Sequence, residues 1–259
     1  MLSSRPRRSH VGTTLVRFLP YVIGAGGIAL ISLGEPLLGA LFLAIAVLVI
    51  TANGVAGSPR RMIARLGGRS ADARDEARLI NIVERICVGY GVARPELRVL
   101  EDEAPNAIVF ARTSRDAVLY LTSGALGLMD MIELEGLVAH ELAHVKLGDV
   151  KVARNAMVSF GFFGASFGGG ARVMKRLYGA QREPLADRAG VSMTRYPPGL
   201  IGALEKLQGA PNVRPGCVTE HMARLTGSLW CAPLNEQSPS RVVAGALSME
   251  LRIAALSEL

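Results

Sequence analysis

Histidine is scarce in this chain: four in 259 residues. Aromatic residues make up 5 %, and cysteine occurs three times. The arginines are scattered and no aromatic-basic pattern accompanies them. A nucleic-acid-binding surface is therefore excluded, in spite of a formal net charge of +7. Three cysteines are an odd count and are expected as free thiols in a cytosolic domain. Cys217 and Cys231 could pair only if their part of the chain were extracytoplasmic. Cys87 shares an apolar helical face with Leu79, Ile82, Val83 and Ile86, which makes it a core residue. No internal repeat or low-complexity tract is present.

Charge is missing locally as well. From Phe18 to Val55 there is no lysine or arginine, and the single acid is Glu35. One membrane span needs about 20 apolar residues. This run is nearly twice as long and is broken by Gly34-Glu35-Pro36, which predicts a helical hairpin over roughly Arg17–Leu33 and Leu37–Val55. A cleaved signal peptide has an apolar region of only about 7–15 residues. A buried core helix pair fits neither the length nor the flanking arginines. Arg5, Arg7, Arg8 and Arg17 precede the hairpin, and Arg60, Arg61, Arg65 and Arg69 follow it. By the positive-inside rule both flanks, and the rest of the chain, are expected in the cytoplasm. The basic surplus suits an anionic leaflet, as it would suit any solvated basic surface.

Two of the four histidines stand in His140-Glu141-Leu142-Ala143-His144. On a helix, positions i and i+4 share a face, so two imidazoles can bind one metal ion. Glu141 projects from the adjacent flank, where a general base is needed. Asp130 and Glu133 read as a capping box, Lys146 suits the negative end of the helix dipole, and Gly148 stops the helix. Leu134, Leu137, Val138, Leu142 and Val145 make the helix largely apolar. It is therefore expected to be buried, and buried histidines need partners; two solvated histidines on a polar face would not fit. A catalytic zinc site takes three protein ligands and keeps one position open. Glu183 is the best third ligand. Asp187, four residues later on the same helix face, can accept the other ring N–H of a ligand histidine. Without the histidine motif the two would read as an ordinary surface carboxylate pair. Cys87 as third ligand would resemble a peptide deformylase, but its core setting argues against this.

These motifs resemble the HtpX-like family of membrane zinc endopeptidases, over roughly residues 72–259. The strongest stretch runs from Leu121-Thr122-Ser123-Gly124 through His140–His144 to Gly148-Asp149. Glu183 and Asp187 match the family's downstream E-x-x-x-D. Pro105-Asn106-Ala107 matches its P-N-A-F strand, with Ile108 in place of phenylalanine. Gly199–Leu207, Leu229–Leu234 and Glu250–Leu256 are similar to its later segments. Two departures stand out: the late His-Pro-Pro element is absent, and Pro184 directly follows the expected ligand, which places Glu183 at a helix start.

The expected fold is α+β and mostly helical: a transmembrane helical hairpin followed by a zincin-type catalytic domain with a small β-sheet and the H-E-x-x-H helix. Residues 1–17 form a basic cytoplasmic terminus, 18–55 the hairpin, 56–71 a juxtamembrane linker and 72–259 the metallopeptidase domain. Asp72–Gly89 reads as an amphipathic helix. Glu96–Leu100, Ala107–Ala111 and Ala117–Leu121 read as strands, with a turn at Thr113–Asp116. Gly209–Ala244, rich in proline, glycine and serine, reads as loop over the cleft. The apolar run Ala156–Ala171 lies between two ligands of one metal, so any spans there must number zero or two. Two would need about 40 apolar residues, so this run dips into the membrane or packs in the core.

The resemblance implies a membrane-anchored, zinc-dependent endopeptidase of the inner membrane that acts on protein or peptide substrates in quality control. His140, His144 and Glu183 would hold Zn²⁺, Asp187 would orient a ligand, and Glu141 would act as base. The family's matching strand lines the cleft, which would put Asn106 and Ala107 against substrate. His221 and Arg252 are both conceivable oxyanion donors. Two alternatives remain at this stage: a catalytically silent membrane scaffold, against which Glu141 argues, and an exported soluble metalloprotease.

Overall fold

The computed structural model describes residues 9–56, 66–111, 115–148, 182–219, 223, 226–234 and 248–259, with side chains from residue 21 onward except 50–56, 111 and 228. The run 156–171, His221 and the arginines at 5, 7, 8, 60, 61 and 65 lie outside the described residues.

Two helices open the chain, α1 (Ser9–Ser32) and α2 (Pro36–Ala56). Gly34 makes the turn at φ 90°, a conformation that glycine adopts without strain. Proline supplies the first residue of α2, where its missing N–H costs nothing. Along this pair Leu33, Leu37, Leu41 and Leu48 are exposed, as are Val22 and Ile28. Among the described residues no helix is long and apolar enough to cross a membrane.

The remainder is mostly helical around a small mixed sheet. In chain order it runs β1 (Arg69–Ser70), α3 (Ala77–Tyr90), β2 (Glu96–Leu100), β3 (Ala107–Ala111), β4 (Ala117–Thr122), α4 (Ser123–Leu128), α5 (Met131–Leu147), α6 (Arg182–Thr194), α7 (Pro197–Gly209) and α8 (Met249–Ser257). The three expected strands are present, β4 running one residue further. The amphipathic helix begins at Ala77 rather than Asp72, because Glu76 is engaged elsewhere. Its carboxylate accepts from Arg69 Nη1 and Nη2 at 2.9 and 2.5 Å and from Asp72 N–H at 2.7 Å. That pairing fixes a short strand, β1, where the sequence suggested only a linker.

The sheet order is β1-β2-β4-β3: β2 pairs with β4 in parallel, and β1 and β3 pair antiparallel to their neighbours. β4 is buried on both faces. Ala117, Leu119 and Leu121 point into a core formed with α3, α5, α6 and α7, whereas Val118 and Tyr120 face Val218, Trp230 and Leu234. The period of two along β4 thus separates two apolar layers. Part of the 209–244 segment therefore fills the second layer instead of lying loose over a cleft.

α5 is the central helix. Asp130 caps it, accepting from the N–H groups of Ile132 and Glu133, while Glu133 accepts from the N–H of Asp130; Gly148 ends it in the left-handed region. Every residue from Gly136 to Val145 is buried. α7 comes so close that a Cβ on Gly136 would lie 2.5 Å from the Leu200 nitrogen. An alanine in a free helix would be stabilising relative to glycine. Here Gly136→Ala is expected to destabilise by about 1–3 kcal/mol through overpacking against backbone. Urea unfolding with an unchanged m-value checks this.

Candidate active site

α5 contributes His140, Glu141 and His144, all essentially inaccessible to solvent. α6 crosses directly beside it. A Cβ on Gly190 would sit 2.9 Å from the His140 nitrogen, so only glycine allows this approach. The crossing brings the start of α6 onto the histidine face. Pro184 falls in the first turn of α6, where proline is tolerated, so it does not disturb Glu183.

The two Nε2 atoms lie 3.2 Å apart. Glu183 Oε2 is 3.3 Å from His140 Nε2, and Glu183 Oε1 is 3.7 Å from His144 Nε2. A tetrahedral centre with bonds of roughly 2.0–2.1 Å has ligand-to-ligand edges of about 3.3 Å. Two imidazole nitrogens and a carboxylate converging at these separations fit a divalent cation. Beside them both oxygens of Glu141 are buried and make no hydrogen bond among the described residues, an arrangement that a structural carboxylate would not tolerate.

Two arginines hold the carboxylates. Arg182 Nη1 donates to Glu183 Oε1 at 2.6 Å. Arg252, from α8, donates to both oxygens of Asp187 at 2.8 and 2.7 Å and to the Cys231 carbonyl at 3.0 Å. Asp187 Oδ1 in turn lies 2.8 Å from His140 Nδ1. Asp187 therefore faces the ring nitrogen opposite the metal-facing one, as expected. Burial pushes Glu183 up, but the positive field of Arg182 and the imidazoles overrides it, leaving the group well below the usual carboxylate range. Burial pushes Glu141 up, and the pull of the histidines does not cancel it, so Glu141 sits above its ordinary value.

Three expectations are corrected. Arg252 is no free oxyanion donor: its guanidinium is 1 % exposed and committed to Asp187 and a backbone carbonyl. It is a positioning residue. Asn106 and Ala107 sit at an edge strand but do not present themselves there; both are fully buried. The Asn106 amide donates to the carbonyls of Val213 and Ala232 at 2.7 and 2.8 Å, and its oxygen accepts from Ala232 N–H at 3.1 Å. The Ala107 carbonyl accepts from Cys231 N–H at 3.0 Å. Loop backbone buried against a sheet edge needs such partners, so these residues bind the chain itself.

Sequence reasoning missed Arg182 and Cys231. Arg182 was marked only by standing next to Glu183. Nothing in sequence signalled that Cys231, some ninety residues beyond His140, returns to within 4.8 Å of it.

An H-E-x-x-H helix joined by a carboxylate from a second helix, with a buried unbonded glutamate between them, defines a metallopeptidase. The sequence model of Peptidase family M48 matches residues 73–224, and the chain belongs to that family, in its HtpX-like branch. It is similar to a Protease HtpX homolog of Tropheryma whipplei (strain TW08/27), with 32 % identity over 83 % of this chain and 84 % of that protein. The homolog of Leuconostoc citreum is 30 % identical over 76 % of this chain and 81 % of its own length. That of Dictyoglomus thermophilum is 26 % identical over 80 % and 78 %. As a protease the chain acts on protein or peptide substrates.

Proposed function

We propose that this chain is a membrane-anchored zinc endopeptidase that cleaves membrane or misfolded proteins at the cytoplasmic face of the inner membrane. The observation that carries the enzymatic part is the convergence of His140, His144 and Glu183 beside the unbonded Glu141. When bound, zinc supplies Lewis acidity that acidifies a water and polarises the scissile carbonyl. Glu141 takes the proton of the attacking water and delivers it to the leaving amine. Asp187 holds His140 by Nδ1, so Nε2 is left to the metal. Arg182 occupies Glu183 Oε1 and turns Oε2 toward His140.

An extended substrate would add to the outer edge of β3 beyond Ala107, whose carbonyl already accepts from Cys231 N–H. The exposed leucines of α1 and α2, together with the charge-free run from Phe18 to Val55, support a bilayer as the solvent of the hairpin. The arginines on both flanks support a cytoplasmic catalytic domain. Residues 72–259 are the catalytic unit, and the HtpX-like resemblance supports the quality-control role.

The test is metal removal on the detergent-purified full chain. The expected result is about one zinc per chain, loss of casein cleavage on chelation and recovery with added zinc. Zinc retained without cleavage would favour a silent scaffold. No zinc at any stage would refute the site.

A further inference from the structure

The two oxygens of Glu183 are not equivalent. Oε1 accepts from Arg182 Nη1 at 2.6 Å. Oε2 is buried and makes no hydrogen bond among the described residues. Arg252 Nη1 lies 3.6 Å from Oε2, outside bonding reach. Yet both oxygens face an imidazole: Oε2 is 3.3 Å from His140 Nε2, and Oε1 is 3.7 Å from His144 Nε2. Each oxygen of an ionised carboxylate has lone pairs to give, so a carboxylate placed this way could close on one cation with both. A catalytic zinc site takes three protein ligands and needs its fourth position for water. The second oxygen of Glu183 would fill that position.

Arg182 stands in the way of this second bond. Its side chain is 6 % exposed, so the guanidinium is held inside the site rather than in solvent. A divalent cation on Oε1 would meet that positive charge at close range, and like charges in a dry interior repel far more strongly than in water. A cation on Oε2 avoids the clash. We propose that Arg182 keeps Glu183 a one-oxygen ligand and thereby reserves a metal position for the attacking water. The inference rests on the reading of His140, His144 and Glu183 as the catalytic metal ligands. Arg182 acts through Glu183 and is a positioning residue. Its loss therefore costs turnover rather than metal: Glu183 closes on the cation with both oxygens and the water is displaced.

The experiment compares the full chain in detergent with its Arg182→Met variant. Both are loaded with divalent cobalt in place of zinc and frozen in water enriched in the magnetic oxygen isotope. Broadening of the cobalt electron spin resonance lines reads a water on the metal. Zinc content, kcat and KM are read on the zinc-loaded proteins. The wild-type lines are expected to broaden. Arg182→Met is expected to hold zinc at least as tightly as wild type, to show no broadening, and to lose kcat by about a hundredfold without recovery in excess zinc. Arg182→Gln also clears Oε1 and serves the same comparison should the methionine variant not fold. Equal broadening in wild type and variant would overturn the proposal. So would a variant that loses zinc and regains full kcat in excess zinc, since Arg182 would then only support the ligand. A wild type that binds neither zinc nor cobalt would instead refute the ligand reading, and the proposal would fall with it.

Discussion

Glu141→Gln is expected to lower kcat/KM by about 10²–10⁴ while zinc content and thermal stability stay at wild-type levels. Glutamine fills the same volume and cannot accept the proton. Its amide also relieves the burial of an unbonded carboxylate, so a loss of fold is not expected. Zinc analysis beside a cleavage assay separates the two possibilities; equal cleavage by the variant would remove Glu141 from the role of base. The pH profile carries a second signature. Glu141 is active as the carboxylate, and burial raises its pKa above the ordinary 4.5. Activity should therefore be present above that raised value and fall as pH drops through it. The acid limb of kcat/KM is expected above 4.5, and an ordinary glutamate limb would contradict the burial argument.

Arg252→Met is expected to be the most destabilising single change, by about 3–5 kcal/mol. It removes the cation bonded twice to Asp187 and leaves Asp187 and Glu183 charged in a dry interior. It also strips a donor from the Cys231 carbonyl. Arg252→Lys keeps the charge but not the planar fork. It should fold more stably than the methionine variant while binding zinc about 10–100-fold more weakly than wild type, because Asp187 would no longer be fixed against His140. Equal zinc affinity in Arg252→Lys and wild type would reduce Arg252 to a structural role. Burial pushes Asp187 up, but Arg252 overrides it and holds the group below its ordinary 3.8. A carboxylate depressed in the folded state contributes stability that is present above its unfolded value and is lost as pH falls through the folded one. The pair's contribution should therefore fade only below about pH 4. Acid unfolding followed by circular dichroism, with Asp187→Asn as reference, checks the sign.

How far the sequence reached depended on the range of the interaction involved. The capping box at Asp130, the stop at Gly148 and the shared face of His140 and His144 are set within a few residues, and each is found where the spacing placed it. The three strands are legible as short apolar runs set off by turn residues, whereas the two apolar layers that β4 divides come from the fold. Glu183 and Asp187 could be paired with the histidines through a second i, i+4 spacing and a family resemblance. Arg252 and Asn106 were singled out, but their roles were misjudged. A polar side chain in sequence looks available for chemistry, and only the fold shows that its donors are already spent on buried carboxylates and loop carbonyls. Arg182 and Cys231 carried no periodic signal at all.

The sequence by itself thus determined most of the elements, the reaction class and the placing of His140 and His144 on one helix face, because helix and strand periods and the H-E-x-x-H spacing are local geometry. The tertiary structure decided what surrounds them: α6 laid against α5 at Gly190, α8 locking Asp187 through Arg252, and Cys231 returned to the side of Glu141. Those placements are fixed by close backbone approach and by the need of every buried polar group for a partner. Neither condition exists until distant segments meet.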